Sequence, residues 1–195
     1  MEDLRNFHKF RLFLASKSPR RIQLMKEAGY MFEVLNNDVE EDYPIGLPTV
    51  DVPEFIASNK ANGAKWALKD DQSIVIGADS VVILNEVIIG KPKDASDAKL
   101  ILKKLSGQTH RVVTGVALMS LSKTITFSET AEVSFSILTD TEIDYYIEHF
   151  NPMDKAGAYG IQDWIGLCRV QSIRGTFSNI MGLPMARLYE ELMKF

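Results

Sequence analysis

One aspartate interrupts an otherwise apolar stretch. Asp79, in Gly77-Ala78-Asp79-Ser80, lies between Ile74-Val75-Ile76 and Val81-Val82-Ile83. A carboxylate in such surroundings is costly unless it is paired or sits at a strand end. The chemistry that justifies it is a hold on Mg²⁺ or Mn²⁺, or acceptance of a proton from an attacking water. The plainer reading is an Asp that closes a bend. A second polar group, Ser16-Lys17-Ser18-Pro19-Arg20-Arg21, falls where a short apolar run gives way to a helix. Free backbone N–H groups and the positive end of a helix dipole favour anions there. Two hydroxyls and two guanidiniums add donors whose planar forks match phosphate oxygens. Against this stands a simple cap by Ser18 with solvated arginines, but cations at a helix start oppose its dipole.

Two further segments suit the same anionic ligand. Gly90-Lys91-Pro92 holds a lysine between turn residues and, with Asp79, can neutralise a transferred or leaving phosphate. In Asp154-Lys155-Ala156-Gly157-Ala158-Tyr159-Gly160-Ile161-Gln162 the small residues let backbone approach a ligand. Lys155 can touch phosphate and the Gln162 amide can read a base edge, although an ordinary surface loop accounts for the segment equally well. The acidic run Asp38-Val39-Glu40-Glu41-Asp42 can lend a metal ligand, with a solvated charged loop as the better reading.

The elements that must position these residues follow from periodicity. Residues 11–15 form a buried strand, Pro19 opens a helix that Gly29 stops, and residues 31–35 form a second strand. A helix runs from Asp51 through Leu68. Residues 73–76 and 81–84 are strands interrupted by the Asp79 motif, with a hairpin turn at Asn85-Glu86. Asp94 to Asp97 caps a helix that Gly107 closes, and residues 108–121 and 124–138 are strands joined by a two-residue hairpin at Ser122-Lys123. Thr139 and Glu142 make a capping box for a helix to about Phe150, and residues 151–164 are irregular. A strand near residues 168–173 and a last helix over about residues 184–193 complete the chain. Alternating helices and strands with an antiparallel pair in the middle predict an α/β fold, a mixed twisted sheet flanked by helices.

Bulk properties narrow the class. The 195 residues suit one domain, residues 1–195, or one body with two lobes around a cleft. Hydrophobic content of 46% supplies a core without staples, and a net charge of -4 offers no general basic surface for nucleic acid. The single cysteine, Cys168, cannot form an intrachain disulfide, fits a reducing cytoplasm and is expected to be buried packing. Residues 1–10 carry scattered charges and no leader-like apolar region, and no run approaches the ~18 apolar residues of a membrane span. His8, His110 and His149 are unclustered, which gives no histidine metal site, and Trp66 and Trp164 are expected to pack. Neither GxxxxGK[ST] nor a GxGxxG after a strand occurs.

Taken together and in order, Leu14-Ala-Ser-Lys-Ser-Pro-Arg-Arg21, Gly77-Ala-Asp-Ser80, Gly90-Lys-Pro92, Leu105-Ser-Gly-Gln-Thr-His110 and Asp154 to Gln162 closely resemble the Maf family. The Lys155 to Gln162 motif looks like the subgroup acting on dTTP and UTP. The resemblance implies a two-lobed mixed α/β fold related to that of inosine triphosphatase, and hydrolysis of a nucleoside triphosphate to the monophosphate and pyrophosphate. It implies Asp79 as proton acceptor, and Arg20, Ser80 and Gln162 at positions tied to substrate choice. Ser16, Arg21, Lys60, Lys91 and Lys155 match phosphate-side positions, and Glu41 matches an acidic residue that helps Asp79 place a divalent cation, Mg²⁺ or Mn²⁺. A homodimer is a further expectation. Ser80 stands where the family usually has Thr, and Ser58-Asn59-Lys60 where it has Arg-Glu-Lys. The rival reading is a nucleotide-binding regulatory module in cell division that uses the same basic cradle without turnover.

Overall fold

The computed structural model describes residues 9–36 and 39–195. The leader-free reading of residues 1–8, His8, and Asp38 of the acidic run lie outside the described residues. One seven-stranded mixed sheet organises the fold, in the order β2-β1-β3-β5-β6-β7 with β4 paired to β3. Its strands are β1 (Arg11–Leu14), β2 (Phe32–Val34), β3 (Ser73–Leu84), β4 (Val87–Ile89), β5 (Thr109–Met119), β6 (Thr124–Phe135) and β7 (Val170–Arg174). Strand β1 is parallel to β2 and β3, while β3–β4 and β6–β7 are antiparallel, as the sequence pattern predicts for a mixed sheet. The helices are α1 (Pro19–Glu27), α2 (Val52–Gly63), α3 (Ala95–Leu105), α4 (Asp140–Phe150), α5 (Trp164–Arg169), α6 (Phe177–Met181) and α7 (Met185–Leu192). The chain divides into two compact units, one of Met1–Asp79, Thr114–Glu129 and Gly182–Phe195, the other of Ser80–Val113 and Thr130–Met181.

In the first unit, helix α2 lies almost in contact with the sheet backbone. A Cβ on Gly77 of β3 would stand 2.2 Å from the Ala57 carbonyl oxygen and 2.8 Å from the Ala61 nitrogen. A Cβ on Gly115 of β5 would meet the Glu54 nitrogen at 2.2 Å. Small residues continue the seam: Ala57, Ala61, Ala64 and Ala67 pack with Ala15, Val75, Ala117 and Met119 in one buried cluster. Glu54 fastens the helix start to β6, accepting from Thr126 Oγ1 at 2.6 Å and Ser128 Oγ at 2.8 Å. Residues two apart share a strand face, so Gly77, which seats the helix, and Asp79 look the same way.

In the second unit, Ala98, Ile101, Leu102 and Leu105 of α3 and Ile143 and Tyr146 of α4 supply buried faces. The expected caps form: Asp94 accepts from the Asp97 N–H, and Thr139 and Glu142 complete a capping box. His110, Phe135 and Tyr159 pack edge-to-face, with ring centroids 4.9 to 5.3 Å apart. His110 Nε2 lies 2.7 Å from the Tyr159 hydroxyl, and burial lowers the histidine from 6.5 to about 4.

Several local expectations are corrected. Strand β3 runs unbroken through the Asp79 motif, because cover on both faces buries the run apart from the half-buried Ser80 and Leu84 and leaves no bend to close. The hairpin tip is Leu121-Ser122, one residue earlier than expected, since the Ser120 N–H donates to the Lys123 carbonyl. The helix from Asp51 ends at Gly63, and Lys65–Ala67 is a separate 3-10 turn. Residues 164–169 form helix α5, so Cys168 is helical; it is exposed because only Ile165 of that short helix turns inward. Trp66 is 69% exposed, so it does not pack, whereas Trp164 meets Tyr145 edge-on at 5.3 Å.

Replacing Gly77 by Ala should destabilise the protein by about 2 kcal/mol in urea denaturation, because rigid backbone of α2 must move. The buried His110 predicts an acid-sensitive fold. The unfolded chain takes up its proton near 6.5 and the folded chain only near about 4, so stability is full above 6.5 and falls as pH drops through that window. His110→Gln should flatten the dependence of Tm on pH between those limits.

Candidate functional site

Seating α2 on Gly77 brings its Lys60 to Asp79. The Lys60 ammonium donates to Asp79 Oδ1 at 2.7 Å and to Glu41 Oε1 at 2.6 Å. Lys60 and Asp79 side chains are each 12% exposed, while Glu41 is half exposed at 51%, so a loop carboxylate closes over an inner pair. An ionised carboxylate this deep needs a cation. Lys60 supplies it, which replaces the bend-closing role considered for Asp79 with an electrostatic one.

The start of α1 adds positive charge to the same unit. Pro19 occupies the first helical turn, and Ser18 makes no side-chain cap hydrogen bond, so its capping role is not taken up. Instead Ser16 Oγ accepts from the Ser18 N–H at 3.3 Å and from Arg21 Nη1 at 3.0 Å. Arg21 is buried, and its Nε donates to the Gly182 carbonyl at 2.7 Å, which ties α1 to the segment before α7. Burial lowers the arginine's pKa, Asp79 and Glu41 raise it, and Arg20 lowers it. Asp79, Glu41 and Arg20 therefore all act on the charge of Arg21. Arg20 itself is half-buried.

The remaining candidates belong to the second unit. Ser80 follows Asp79 along β3, and strand alternation turns it to the opposite face. Lys91 is exposed just beyond β4, and the preceding Gly90 carbonyl accepts the Gly157 N–H at 3.0 Å. That bond ties the Lys91 turn to the loop carrying Lys155 and Gln162. Lys155 donates to Asp154 Oδ1 at 2.8 Å and lies 4.0 Å from Asp163 Oδ2. Gln162 Oε1 is buried and has no hydrogen-bond partner among the described residues.

The structure thus gathers Asp79, Lys60, Glu41, Ser16, Arg20 and Arg21 in one unit, and Lys91, Lys155 and Gln162 in the other. Sequence reasoning missed Gly182, the acceptor for Arg21, and Tyr146 and Asp163, which flank the Gln162 turn. Asp163 directly follows the motif, but Tyr146 reads as an ordinary apolar helix position.

Among the described residues no group of three or more His, Cys, Asp or Glu side chains is placed to hold a metal. The Asp79 and Glu41 oxygens nevertheless converge on a cation, the Lys60 ammonium. Two hard carboxylates suit Mg²⁺ or Mn²⁺ when phosphate and water complete the shell. The donor set fits such an ion.

Fold and site together define a mixed α/β protein whose lysine-bridged carboxylates share a unit with an arginine-rich helix start. Residues 11–195 match the family model described as Maf-like protein. A dTTP/UTP pyrophosphatase of Phocaeicola vulgatus is 46% identical over 192 residues, covering 98% of this chain and 99% of its own length. Proteins of the same name from Porphyromonas gingivalis W83 and Bacillus cytotoxicus are 44% and 48% identical, covering 98% and 95% of this chain and 98% and 95% of their own. The chain belongs to the Maf family. The solved Ham1 protein of Staphylococcus aureus overlaps 65% of this chain and 72% of its own at a TM-score of 0.46 and 21% identity, too distant to bear on the site. No helix among the described residues is long and apolar enough to cross a membrane.

Removing the Lys60 ammonium should expose the cost of the pair it bridges. Lys60→Met leaves Asp79 buried without the ammonium that donates to it, and urea denaturation at neutral pH should show a loss of about 3 kcal/mol.

Proposed function

We propose that this chain is a pyrophosphatase that hydrolyses dTTP and UTP to the nucleoside monophosphate and pyrophosphate. The observation that carries the reading is the Asp79 carboxylate, buried, bridged by Lys60 to Glu41, and coupled in charge to Arg21. The near full-length identity to proteins named dTTP/UTP pyrophosphatase supports the substrate and the bond cleaved.

In the first unit, phosphate oxygens are taken by Arg20, by the Ser16 loop that Arg21 braces, and by Lys60; in the second, Lys91 and Lys155 supply phosphate-side cations. Asp79 orients a water and accepts its proton as the water oxygen bonds to the α-phosphorus. The bond from that phosphorus to the α,β-bridging oxygen breaks, and pyrophosphate leaves with the electron pair. Lys60 fixes the Asp79 carboxylate, and the surrounding cations counter charge on the phosphate chain. Asp79 and Glu41 would hold the Mg²⁺ or Mn²⁺ ion, whose chemistry when bound is to neutralise the phosphate oxygens. At the base, Gln162 Oε1 accepts the N3–H that thymine and uracil share. Cytosine has no hydrogen on N3, so the same acceptor disfavours it. The proposed setting is the cytoplasm, in keeping with a lone Cys168.

Product analysis tests the reaction. dTTP and UTP with Mg²⁺ or Mn²⁺ should give monophosphate and pyrophosphate, ahead of CTP, ATP and GTP. Release of inorganic phosphate would contradict the assigned bond, and binding without turnover would make the chain a binding module. Asp79→Asn should lower kcat about a thousandfold or more with the circular dichroism spectrum unchanged; near-normal turnover would remove Asp79 from the mechanism. Chelation by EDTA should abolish turnover and added Mg²⁺ or Mn²⁺ restore it, whereas persistence in EDTA would overturn the metal assignment.

A further inference from the structure

The turn that carries Gln162 is fastened by a side chain from a different element. Tyr146, on α4, is fully buried, and its hydroxyl has both of its hydrogen-bonding roles filled. It accepts the Gly160 N–H at 2.9 Å and donates to Asp163 Oδ2 at 2.7 Å. These two partners bracket Ile161-Gln162, and the Asp163 N–H closes the same turn on the Gly160 carbonyl at 3.0 Å. The backbone on either side of Gln162 is therefore pinned, although Gln162 Oε1 itself has no partner. The fit is close: a Cβ on Gly160 would lie 2.4 Å from Asp163 Oδ2 and 2.8 Å from Gln162 Nε2.

Asp163 also approaches Lys155. Its Oδ2, the atom that takes the Tyr146 hydrogen bond, lies 4.0 Å from the Lys155 ammonium, and both side chains are largely buried, at 15% and 12% exposure. One hydroxyl thus fixes the turn that carries the amide and a carboxylate near the lysine, whose ammonium donates to Asp154 at 2.8 Å and feels Asp163 as a second negative charge. Packing alone does not call for the phenol. The Tyr146 ring stacks on Phe150 at 5.3 Å, a contact phenylalanine would keep. Burial first, and then the Asp163 hydrogen bond, push the phenol's ionisation upward, so it remains a donor throughout the working pH range.

We propose that Tyr146 and Asp163 are positioning residues, which together set the Gln162 amide for the pyrimidine base and the Lys155 ammonium for the phosphate chain. The inference rests on the nucleotide reading above and adds the residues that make its selectivity possible. Neither touches the reacting atoms, so their loss is felt in binding and discrimination before it is felt in the chemical step.

The test compares wild type, Tyr146→Phe and Asp163→Asn, all checked for folding by thermal denaturation. Calorimetry with non-hydrolysable α,β-imido-dUTP and its dCTP counterpart reads binding, and steady-state kinetics with dTTP and CTP read turnover. Tyr146→Phe should weaken α,β-imido-dUTP binding about tenfold and reduce the preference over the cytosine analogue by a similar factor. Its KM for dTTP should rise accordingly while kcat stays within about threefold. Asp163→Asn still accepts from the phenol, so it should keep base preference and lose affinity at the phosphate side only. A folded Tyr146→Phe that binds and discriminates like wild type would overturn the proposal. Wild type that binds the analogue but turns over neither dTTP nor UTP would sink the pyrophosphatase reading alone, leaving binding to decide this one. Failure of wild type to bind the analogue would overturn both.

Discussion

Everything at the carboxylate site depends on how closely α2 approaches the sheet. Two glycines, Gly77 on β3 and Gly115 on β5, let helix backbone rest where a Cβ would otherwise stand, 2.2 Å from main-chain atoms in each case. An alanine seam extends that contact along the helix. Such intimacy leaves little freedom for a side chain projecting beside it. Lys60 is therefore delivered to Asp79 by packing, and its own hydrogen bonds need only complete the geometry. An apolar contact made for stability becomes the device that places a charge.

Once Asp79 is fixed, the surrounding electrostatics constrain one another. A buried carboxylate requires a cation, Lys60 provides it, and Glu41 shares the same ammonium from an exposed loop. Arg21 is buried as well, at a cost that shows as a lowered pKa, and the carboxylates partly offset that cost. Its hydrogen bonds to Ser16 Oγ and the Gly182 carbonyl turn a charged side chain into a brace for the loop before α1. The second unit solves a comparable problem differently. There Tyr146 saturates itself on Gly160 and Asp163, which pins the turn, while the buried Gln162 Oε1 between them is left without a partner among the described residues.

Much of this was legible along the chain. The apolar periodicity of residues 95–105, the capping box at Thr139 and the alternation in β6 each report a local requirement, and each element formed. The motif residues Ser16, Arg20, Arg21, Asp79, Lys91, Lys155 and Gln162 stood out because polar groups next to apolar elements demand a reason. Other features misled for a physical cause. The Asp79 motif looks like a break because Gly-Ala-Asp-Ser is poor strand material, yet neighbours on both sides hold β3 straight. Cys168 and Trp66 look like core by composition, and both are exposed because burial is set by which way a short helix or turn faces.

By itself, the sequence determined the residue types, their order and the local periodicities: a mixed α/β chain with a carboxylate, basic groups and a motif that marks its family. These are properties of neighbours in the chain, within reach of turn chemistry, capping and alternation. Tertiary structure decided which distant groups meet. Lys60 pairs with Asp79 across nineteen positions, Arg21 with Gly182 across 161, and Tyr146 with Asp163 across seventeen. No local rule encodes those meetings, because they follow from a helix lying flush on two glycines and from buried polar atoms that must find partners wherever the fold supplies them.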